Sequence, residues 1–117
     1  MIISSGKTGE TTAAKFLKKN GYKILERNYR KAYGEIDIIA QKGENVTFVE
    51  VKTRKSDAFG TPAEFVTIKK QKRIIKAAYT YIQEKDLDAE FTFDIVEVYY
   101  DGRKVVKVNH IENAFYV

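Results

Sequence analysis

Several residue types are scarce or missing in this chain of 117 residues, and each absence excludes a class of site. There is no cysteine, so disulfides and thiolate metal sites are excluded, and a reducing compartment suits the protein. The single histidine, His110, leaves little material for a histidine metal cluster or a Ser-His-Asp site, and we expect it at the surface or on an edge strand. No apolar run approaches membrane-spanning length, and residues 1–6 lack the apolar core of a signal peptide. We therefore expect a soluble cytoplasmic protein with no membrane partner.

The apolar content and the charge predict one small, basic domain. A hydrophobic fraction of 44% suits a single domain over residues 1–117 with a small core. The net charge is +5, and it is uneven: residues 1–60 hold twelve Lys/Arg against seven Asp/Glu, whereas residues 61–117 hold nine of each. Basic charge concentrated on part of a domain suggests a polyanion partner. The alternative is a basic surface that only keeps the protein soluble.

Hydrophobic periodicity and turn residues predict seven elements in the order α-β-β-β-α-β-β. Helices are predicted over residues 9–19 and 68–84, and strands over residues 22–30, 34–41, 46–54, 91–100 and 103–111. Asp101-Gly102 is a two-residue hairpin signal between the last two strands. Thr67 is the expected N-cap of the second helix, after a short extended piece over residues 63–66. Alternatively, Thr61 could begin a capping box with Pro62 at the first helical position, which would start that helix earlier. Helices that cover the faces of one mixed sheet indicate an α/β sandwich.

Two acidic residues face each other in the predicted hairpin of residues 34–41 and 46–54. Either of two loops around residues 43–44 gives the same antiparallel register. That register pairs Gln41 with Val46, Asp37 with Glu50, and Glu35 with Lys52. Directly opposed carboxylates repel at a Cβ separation of about 4.5–5.5 Å. Asp37 and Glu50 also have apolar neighbours on both sides, which indicates strands that are covered on both faces. A hard divalent ion such as Mg²⁺ would relieve this repulsion, whereas a solvated acid pair is the alternative.

Two further charged residues are candidates for the same site. Lys52 lies two residues beyond Glu50 on the same face, where it could orient an attacking water or stabilise charge on a phosphate. A salt bridge from Lys52 to Glu35 is the alternative, and both can hold at once. Glu10 shares a face of the first helix with the apolar residues at positions 13, 14 and 17, and a charge on a buried stripe needs a partner. Favourable placement near a helix N-terminus is the alternative explanation for Glu10.

A basic stripe follows the second helix. Lys69, Lys72, Arg73 and Lys76 have the spacing i, i+3, i+4, i+7, opposite the apolar face of that helix. An ordinary solvated face is the alternative, but four cations without an interleaved acid favour contact with phosphates. A second basic group comprises Lys15, Lys18, Lys19, Lys23, Arg27, Arg30 and Lys31, opposed only by Glu26. Arg30 and Arg54 complete the predicted nucleic-acid contacts.

With Asp37 on one strand and Glu50-Val51-Lys52 on the next, the chain resembles the PD-(D/E)xK nuclease superfamily. It is more closely similar to the bacterial YraN family, which is described as similar to archaeal Holliday-junction resolvases. The segments that carry this resemblance are Gly9-Glu10, Gly21-Tyr22, Arg27-Asn28-Tyr29-Arg30, Gly34 to Ala40, Phe48 to Arg54, Phe59-Gly60, Phe93-Asp94 and Asn113-Ala114-Phe115. They extend over nearly the whole length of the chain.

The resemblance implies a restriction-endonuclease-like sandwich and hydrolysis of DNA phosphodiester bonds, with branched or structured DNA among the substrates. Asp37, Glu50 and the backbone carbonyl of Val51 would hold Mg²⁺ or Mn²⁺. Glu10 would join the catalytic set through a water, since resolvase-like members carry a glutamate on the first helix, and Lys52 would position the nucleophile. A homodimer is one option, although no exposed apolar stripe in the sequence requires it.

Two alternatives to a nuclease stay open at the level of the sequence. One is a non-catalytic nucleic-acid-binding module that keeps the nuclease fold, which would bind DNA in a salt-dependent way without cleaving it. The other is a structural or partner-binding protein whose acids only tie the hairpin together, and it would gain no stability from a metal ion.

Overall fold

The computed structural model describes residues 5–58 and 66–116, which form a five-stranded sheet with a helix on each face. The helices are α1 (Ser5–Lys19) and α2 (Ile68–Lys85), the strands are β1 (Lys23–Lys31), β2 (Gly34–Lys42), β3 (Asn45–Lys55), β4 (Glu90–Asp101) and β5 (Lys104–Phe115), and a 3-10 turn spans Ser56–Ala58. The predicted order α-β-β-β-α-β-β is confirmed. The arrangement is consistent with a restriction-endonuclease-like fold.

The sheet is mixed, and its strands lie in the order β1-β2-β3-β4-β5. β3 and β4 pair in parallel, whereas the other three neighbouring pairs are antiparallel. A parallel pair needs a long crossover connection, and α2 lies within the connection between β3 and β4. The central strand β3 is therefore covered on both faces, as expected from its apolar residues.

Each helix covers its own hydrophobic cluster. The cluster under α2 includes Phe48, Val66, Ile74, Ala78, Tyr81 and Phe93, and the cluster under α1 includes Ala13, Ala14, Leu17, Ile38, Val49 and Val96. Two glycines allow the helices to pack closely against the strands. A Cβ atom on Gly9 would lie 2.5 Å from Cγ2 of Thr53, and one on Gly34 would lie 2.5 Å from the carbonyl oxygen of Arg73. Both close approaches flank the residues of the predicted site.

The ends of the helices follow local sequence signals. α1 ends in a Schellman motif, because Gly21 has φ 89° and the N–H groups of Gly21 and Tyr22 donate to the carbonyls of Lys18 and Leu17. Thr67 is the N-cap of α2, as predicted, and its side chain accepts the N–H of Lys70 at 3.2 Å. The predicted capping box at Thr61, the greater part of the predicted extended piece, and the segment Phe59-Gly60 lie outside the described residues. No helix in the described ranges is long and apolar enough to cross a membrane.

The C-terminal hairpin differs from the prediction in its turn and its length. Asp101 pairs with Lys104, so the turn is Gly102-Arg103 and lies one residue later than predicted. Gly102 takes φ 61°, the conformation that this turn requires. β5 continues to Phe115 instead of ending at residue 111. The extension follows a register shift between Phe93 and Ile95 of β4, which keeps Phe115 paired with Phe93.

His110 lies on the edge strand β5, one of the two predicted locations, but its side chain is mostly buried. Its Nε2 atom lies 2.8 Å from Oδ2 of Asp94, whose other oxygen accepts the N–H of Asn113 at 3.1 Å. Burial alone would raise the pKa of Asp94, but the hydrogen bonds from His110 and Asn113 lower it below its ordinary value. This pair fastens β5 to β4.

Candidate metal centre and basic cleft

The candidate acid pair lies where the ladder between β2 and β3 ends. The predicted register is confirmed from Gln41 opposite Val46 to Ile38 opposite Val49, and the next pair in that register is Asp37 and Glu50. Backbone pairing stops there, and Oδ2 of Asp37 accepts the N–H of Val51 at 2.8 Å. The carboxylate of Asp37 thus takes the place of a backbone carbonyl of β2 as the hydrogen-bond acceptor for β3.

The strand twists at Asp37, which explains why its carboxylate enters the gap between the two strands. Ile36 and Ile39 both pack in the cluster under α2, whereas Ile38 packs under α1. Strict alternation would place Ile36 and Ile38 on the same face. On the neighbouring strand, the register puts Asn28 opposite Asp37, and Asn28 has φ 53°, which asparagine tolerates better than most residues. The irregularity therefore affects β1 and β2 at the level of the acid pair.

The electrostatics of Asp37 show a carboxylate without a sufficient counter-charge. Burial, followed by the charge of Glu50, raises the pKa of Asp37 to about 7, although the N–H of Val51 acts in the opposite direction. Glu50 is itself only 7% exposed. Two carboxylates buried side by side repel each other, and a cation beside them relieves this repulsion.

Glu10 is a third acid at the same place. The apolar stripe predicted for α1 is buried, with Ala13 and Leu17 both fully inaccessible, and Glu10 continues that stripe towards the site. The pKa of Glu10 is raised above its ordinary value. Burial is the largest cause, and the charge of Asp37 and the hydrogen bond with Asp37 come next. The partner of Glu10 is therefore another acid, Asp37, and a nearby cation would stabilise both carboxylates.

The donor set suits a hard cation that brings its own waters. Asp37 and Glu50 supply carboxylate oxygens, and Mg²⁺ typically takes one or two carboxylates together with waters and substrate phosphates. Within residues 5–58 and 66–116, no group of three or more His, Cys, Asp or Glu side chains is placed so that it could hold a metal ion. The pair therefore fits Mg²⁺ or Mn²⁺ held jointly with substrate better than a permanently bound structural ion. For Val51, the observed contact uses its N–H, and ligation by its carbonyl remains a prediction.

Lys52 lies on β3 two residues beyond Glu50 and is half-buried. Its side chain forms no hydrogen bond or ion pair with the part of the chain that the structure describes. Glu35 instead pairs with Arg30 at 3.2 Å. The alternative salt bridge between Lys52 and Glu35 is therefore not formed here, and the catalytic role of Lys52 remains a prediction.

A cleft of about 970 Å³ is lined by the N-terminal half of α2 and by the turn between β1 and β2, which meet at Arg73 and Gly34. Its charged lining consists of Lys31, Lys69, Lys70, Lys72, Arg73, Lys76 and the acid Glu35. We call this surface the basic cleft. All four residues of the predicted stripe line it, because the apolar side of α2 packs on the sheet and turns them outwards. Lys31 is paired with Glu84 at 2.9 Å, but the remaining cations outnumber the one acid and make this concave surface positive.

The two remaining predicted nucleic-acid contacts lie in different surroundings. The side chain of Arg30 is 72% exposed and pairs with Glu35 at the rim of the basic cleft. The side chain of Arg54 is only 11% exposed, and its Nη1 atom lies 3.0 Å from both Oε2 of Glu97 and the hydroxyl of Tyr99. Arg54 therefore belongs to a buried network around Glu97, and we do not carry it into the proposed interface.

Lys70 is the residue that sequence reasoning missed. Its Nζ atom lies 3.0 Å from Oε1 of Glu50, and its side chain also lines the basic cleft. The spacing rule that selected Lys69 left Lys70 out. Yet Lys70 stands four residues before the buried Ile74, and so it extends the apolar stripe of α2. Lys70 thus shows the same signal as Glu10, a charged residue in line with a buried apolar stripe.

Comparison with known proteins identifies a family whose description states no activity. Residues 9–98 match the model of "Uncharacterised protein family UPF0102". A UPF0102 protein of Caldicellulosiruptor saccharolyticus is 46% identical over 112 residues, which cover 94% of this chain and 95% of the relative. One from Flavobacterium psychrophilum is 49% identical over 95% of this chain and 92% of its own length. One from Caldanaerobacter subterraneus is also 49% identical, over 94% and 93%.

Proposed function

Because the chain belongs to the uncharacterised protein family UPF0102, we propose its function from the site itself: metal-dependent hydrolysis of phosphodiester bonds in DNA. The observation that carries this proposal is the acid pair Asp37 and Glu50 beside the basic cleft. Lys70 contacts both surfaces, so a phosphate in the cleft would lie next to the acids. Carboxylates without enough counter-charge beside a polyanion-binding surface suit a divalent ion that both sides share.

Each residue of the site has a distinct part in this proposal. Asp37 and Glu50 would hold Mg²⁺ or Mn²⁺, which supplies an activated water and polarises the phosphate. Glu10, which lies within hydrogen-bonding reach of Asp37, would contact a water at the edge of the site and could exchange a proton with it. Lys52 would donate to the phosphate oxygens as negative charge builds on them. The cations of the basic cleft would hold the flanking phosphates without reading bases.

The test is cleavage of linear, flapped and four-way DNA in the presence of Mg²⁺ or Mn²⁺. We expect cleavage that a chelator stops and that Asp37→Asn abolishes while DNA binding persists. Asp88→Asn, which removes an exposed acid beyond the C-terminal end of α2, is the matched control and should cleave like the wild type. Binding to every substrate without cleavage of any would contradict the proposal.

A non-catalytic nucleic-acid-binding module is the second candidate function. The observation that favours it is that the basic cleft is lined by six cations without any contribution from Asp37 or Glu10. Under this alternative, DNA binding would weaken with salt but would not respond to Mn²⁺. Measurement of DNA affinity with and without Mn²⁺ at constant ionic strength distinguishes the two functions.

A further inference from the structure

We propose that Lys70 is an exchangeable counter-ion: it neutralises Glu50 in the metal-free protein, and a divalent ion displaces it towards DNA phosphate in the basic cleft. This inference rests on the proposed function and adds a regulatory link to it. Metal binding would complete the acidic site and, by the same event, add one cation to the DNA-binding surface. The two ligands would thus assist each other.

Lys70 lies between two surfaces, the acid pair and the basic cleft. Its Nζ atom lies 3.0 Å from Oε1 of Glu50, which is 7% exposed, whereas the side chain of Lys70 is 47% exposed. The ammonium end therefore reaches a buried acid while the rest of the side chain faces the cleft. A lysine carries a compact charge on four rotatable carbons, so it can leave Glu50 without movement of α2.

Lys70 and a metal ion would compete for the carboxylate of Glu50. The ammonium group contacts Oε1, one of the two oxygens with which Glu50 could bind a metal ion, and the two cations repel each other if both are present. Displaced from Glu50, Lys70 would lie beside Lys69 and Arg73 in the basic cleft, where a DNA phosphate is the available anion. Because linkage is reciprocal, DNA that attracts Lys70 would also strengthen metal binding.

A fixed structural ion pair is the alternative. Glu50 would then need Lys70 in every state, and the carboxylate would not be free for a metal ion. Removing Lys70 would lower stability and leave metal affinity unchanged or weaker. The exchange and the fixed pair therefore predict opposite changes in metal affinity.

The first experiment measures Mn²⁺ affinity by calorimetry without DNA. Lys70→Ala should bind Mn²⁺ about fivefold more tightly than the wild type, the upper range for releasing a partly exposed ion pair. Lys69→Ala is the matched control, because it removes the same charge from the same cleft but leaves the pair of Lys70 and Glu50 in place. Its affinity should change by less than about twofold, since exposed charges are largely screened. Lys70→Arg, which keeps a competing cation, should remain near the wild type.

The second experiment measures the link to DNA with a phosphorothioate duplex, which resists hydrolysis. Mn²⁺ should increase the affinity of the wild type for this duplex by a larger factor than that of Lys70→Ala. The factor for Lys69→Ala should match the wild type. Circular dichroism and melting of each variant without metal establish that the fold is retained.

The outcomes separate this inference from the proposed function. Tighter Mn²⁺ binding by Lys70→Ala alone, with a reduced Mn²⁺ effect on duplex affinity, supports the exchange. Equal changes in Lys70→Ala and Lys69→Ala, or weaker Mn²⁺ binding by Lys70→Ala, overturn it while a metal-dependent site stands. A wild type that binds no Mn²⁺ overturns both.

Discussion

Asp37 links the stability of this protein to pH through a single buried carboxylate. Its pKa rises from an ordinary value of 3.8 to about 7 on folding, so between these values the folded chain binds more protons than the unfolded chain. The free energy of unfolding must therefore fall as pH increases through this window. The loss is complete above about pH 7 and absent below about pH 4. Glu10, whose pKa is also raised, contributes with the same sign.

Replacement of Asp37 by asparagine should remove most of this dependence. In a chelator, Asp37→Asn should match the wild type near pH 4 and exceed it near pH 7.5, by an amount on the order of 1–3 kcal/mol. The asparagine oxygen can still accept the N–H of Val51, so the fold should survive. Denaturant unfolding at several pH values checks this, with Asp88→Asn as the control. A pH profile as steep in Asp37→Asn as in the wild type would mean that other groups carry the dependence.

Lys52 tests catalysis with little interference from stability. Its side chain has no ion pair among the described residues, so Lys52→Ala should change the free energy of unfolding by less than about 0.5 kcal/mol. Metal and DNA binding should also hold, while cleavage should fall by about 10²–10³, the usual effect of losing one donor to a developing oxyanion. Lys52→Arg should rescue only partly, because its charge is planar and spread. An equal loss of cleavage in the exposed control Lys55→Ala would remove Lys52 from the catalytic list.

At the scale of elements, the sequence predicted each helix and strand because local signals and burial agreed. Thr67 caps α2, and the stripe through Ile74 and Tyr81 is buried as its period required. The sequence alone could not predict features that depend on contacts between elements. The twist of β2 at Asp37 depends on β1, and the pairing of Lys70 with Glu50 depends on where α2 crosses the sheet. The buried surroundings of Arg54 could not be predicted for the same reason, since the parallel pairing of β3 and β4 is what brings Glu97 beside it.

The basic face of α2 should act through charge alone. The double change Lys72→Ala and Lys76→Ala should reduce the slope of log affinity against log salt by about 2, since each lost phosphate contact removes about 0.9. Binding should weaken alike on unrelated DNA sequences, because these residues hold phosphates. The matched control, Lys18→Ala with Lys19→Ala on α1, removes the same charge from exposed positions outside the basic cleft. A salt slope unchanged from the wild type in the variant that lacks Lys72 and Lys76 would show that the α2 stripe is only a solvated face.

The distance between α2 and the turn after β1 should matter independently of charge. A Cβ at Gly34 would lie 2.5 Å from the carbonyl oxygen of Arg73, which is backbone and cannot rotate away. Gly34→Ala should therefore displace α2, lower stability by about 1–3 kcal/mol and weaken DNA binding. Gly102→Ala is the control, since its φ of 61° strains alanine but no atom lies within 4 Å. We expect a loss of stability in both variants, measured by denaturant unfolding, and a loss of duplex affinity in Gly34→Ala alone.

Over the whole molecule, the two helices bring opposite charges to one place from opposite faces of the sheet. Glu10 extends the buried stripe of α1, Lys70 extends that of α2, and both reach the acids between β2 and β3. The arrangement needs the mixed sheet, because the crossover through α2 is what places a helix on the second face. The acids also contribute to the electrostatic field around the molecule. In the absence of metal, their negative charge repels the phosphates that the basic cleft attracts.

Neutralising the acid pair should therefore strengthen DNA binding when no metal is present. In a chelator at about 0.1 M salt and above about pH 8, where Asp37 is ionised, Asp37→Asn with Glu50→Gln should bind duplex DNA about three- to tenfold more tightly than the wild type, as two charges beside the cleft are lost. Asp88→Asn with Glu90→Gln is the control and removes the same net charge. Glu90 is paired with Asn45, five residues before Glu50, so it lies about 16 Å away, beyond the screening length at 0.1 M salt.

Addition of Mn²⁺ should reverse the order of the two proteins. The wild type gains a bound cation beside the cleft and should bind duplex DNA more tightly, whereas the double variant has lost its carboxylates and should not respond. Titration of a phosphorothioate duplex with and without Mn²⁺ measures both states at constant ionic strength. If the double variant bound DNA more weakly than the wild type in the chelator, or if both responded to Mn²⁺ equally, the acid pair would not lie on the path of the bound DNA, and the basic cleft would act without it.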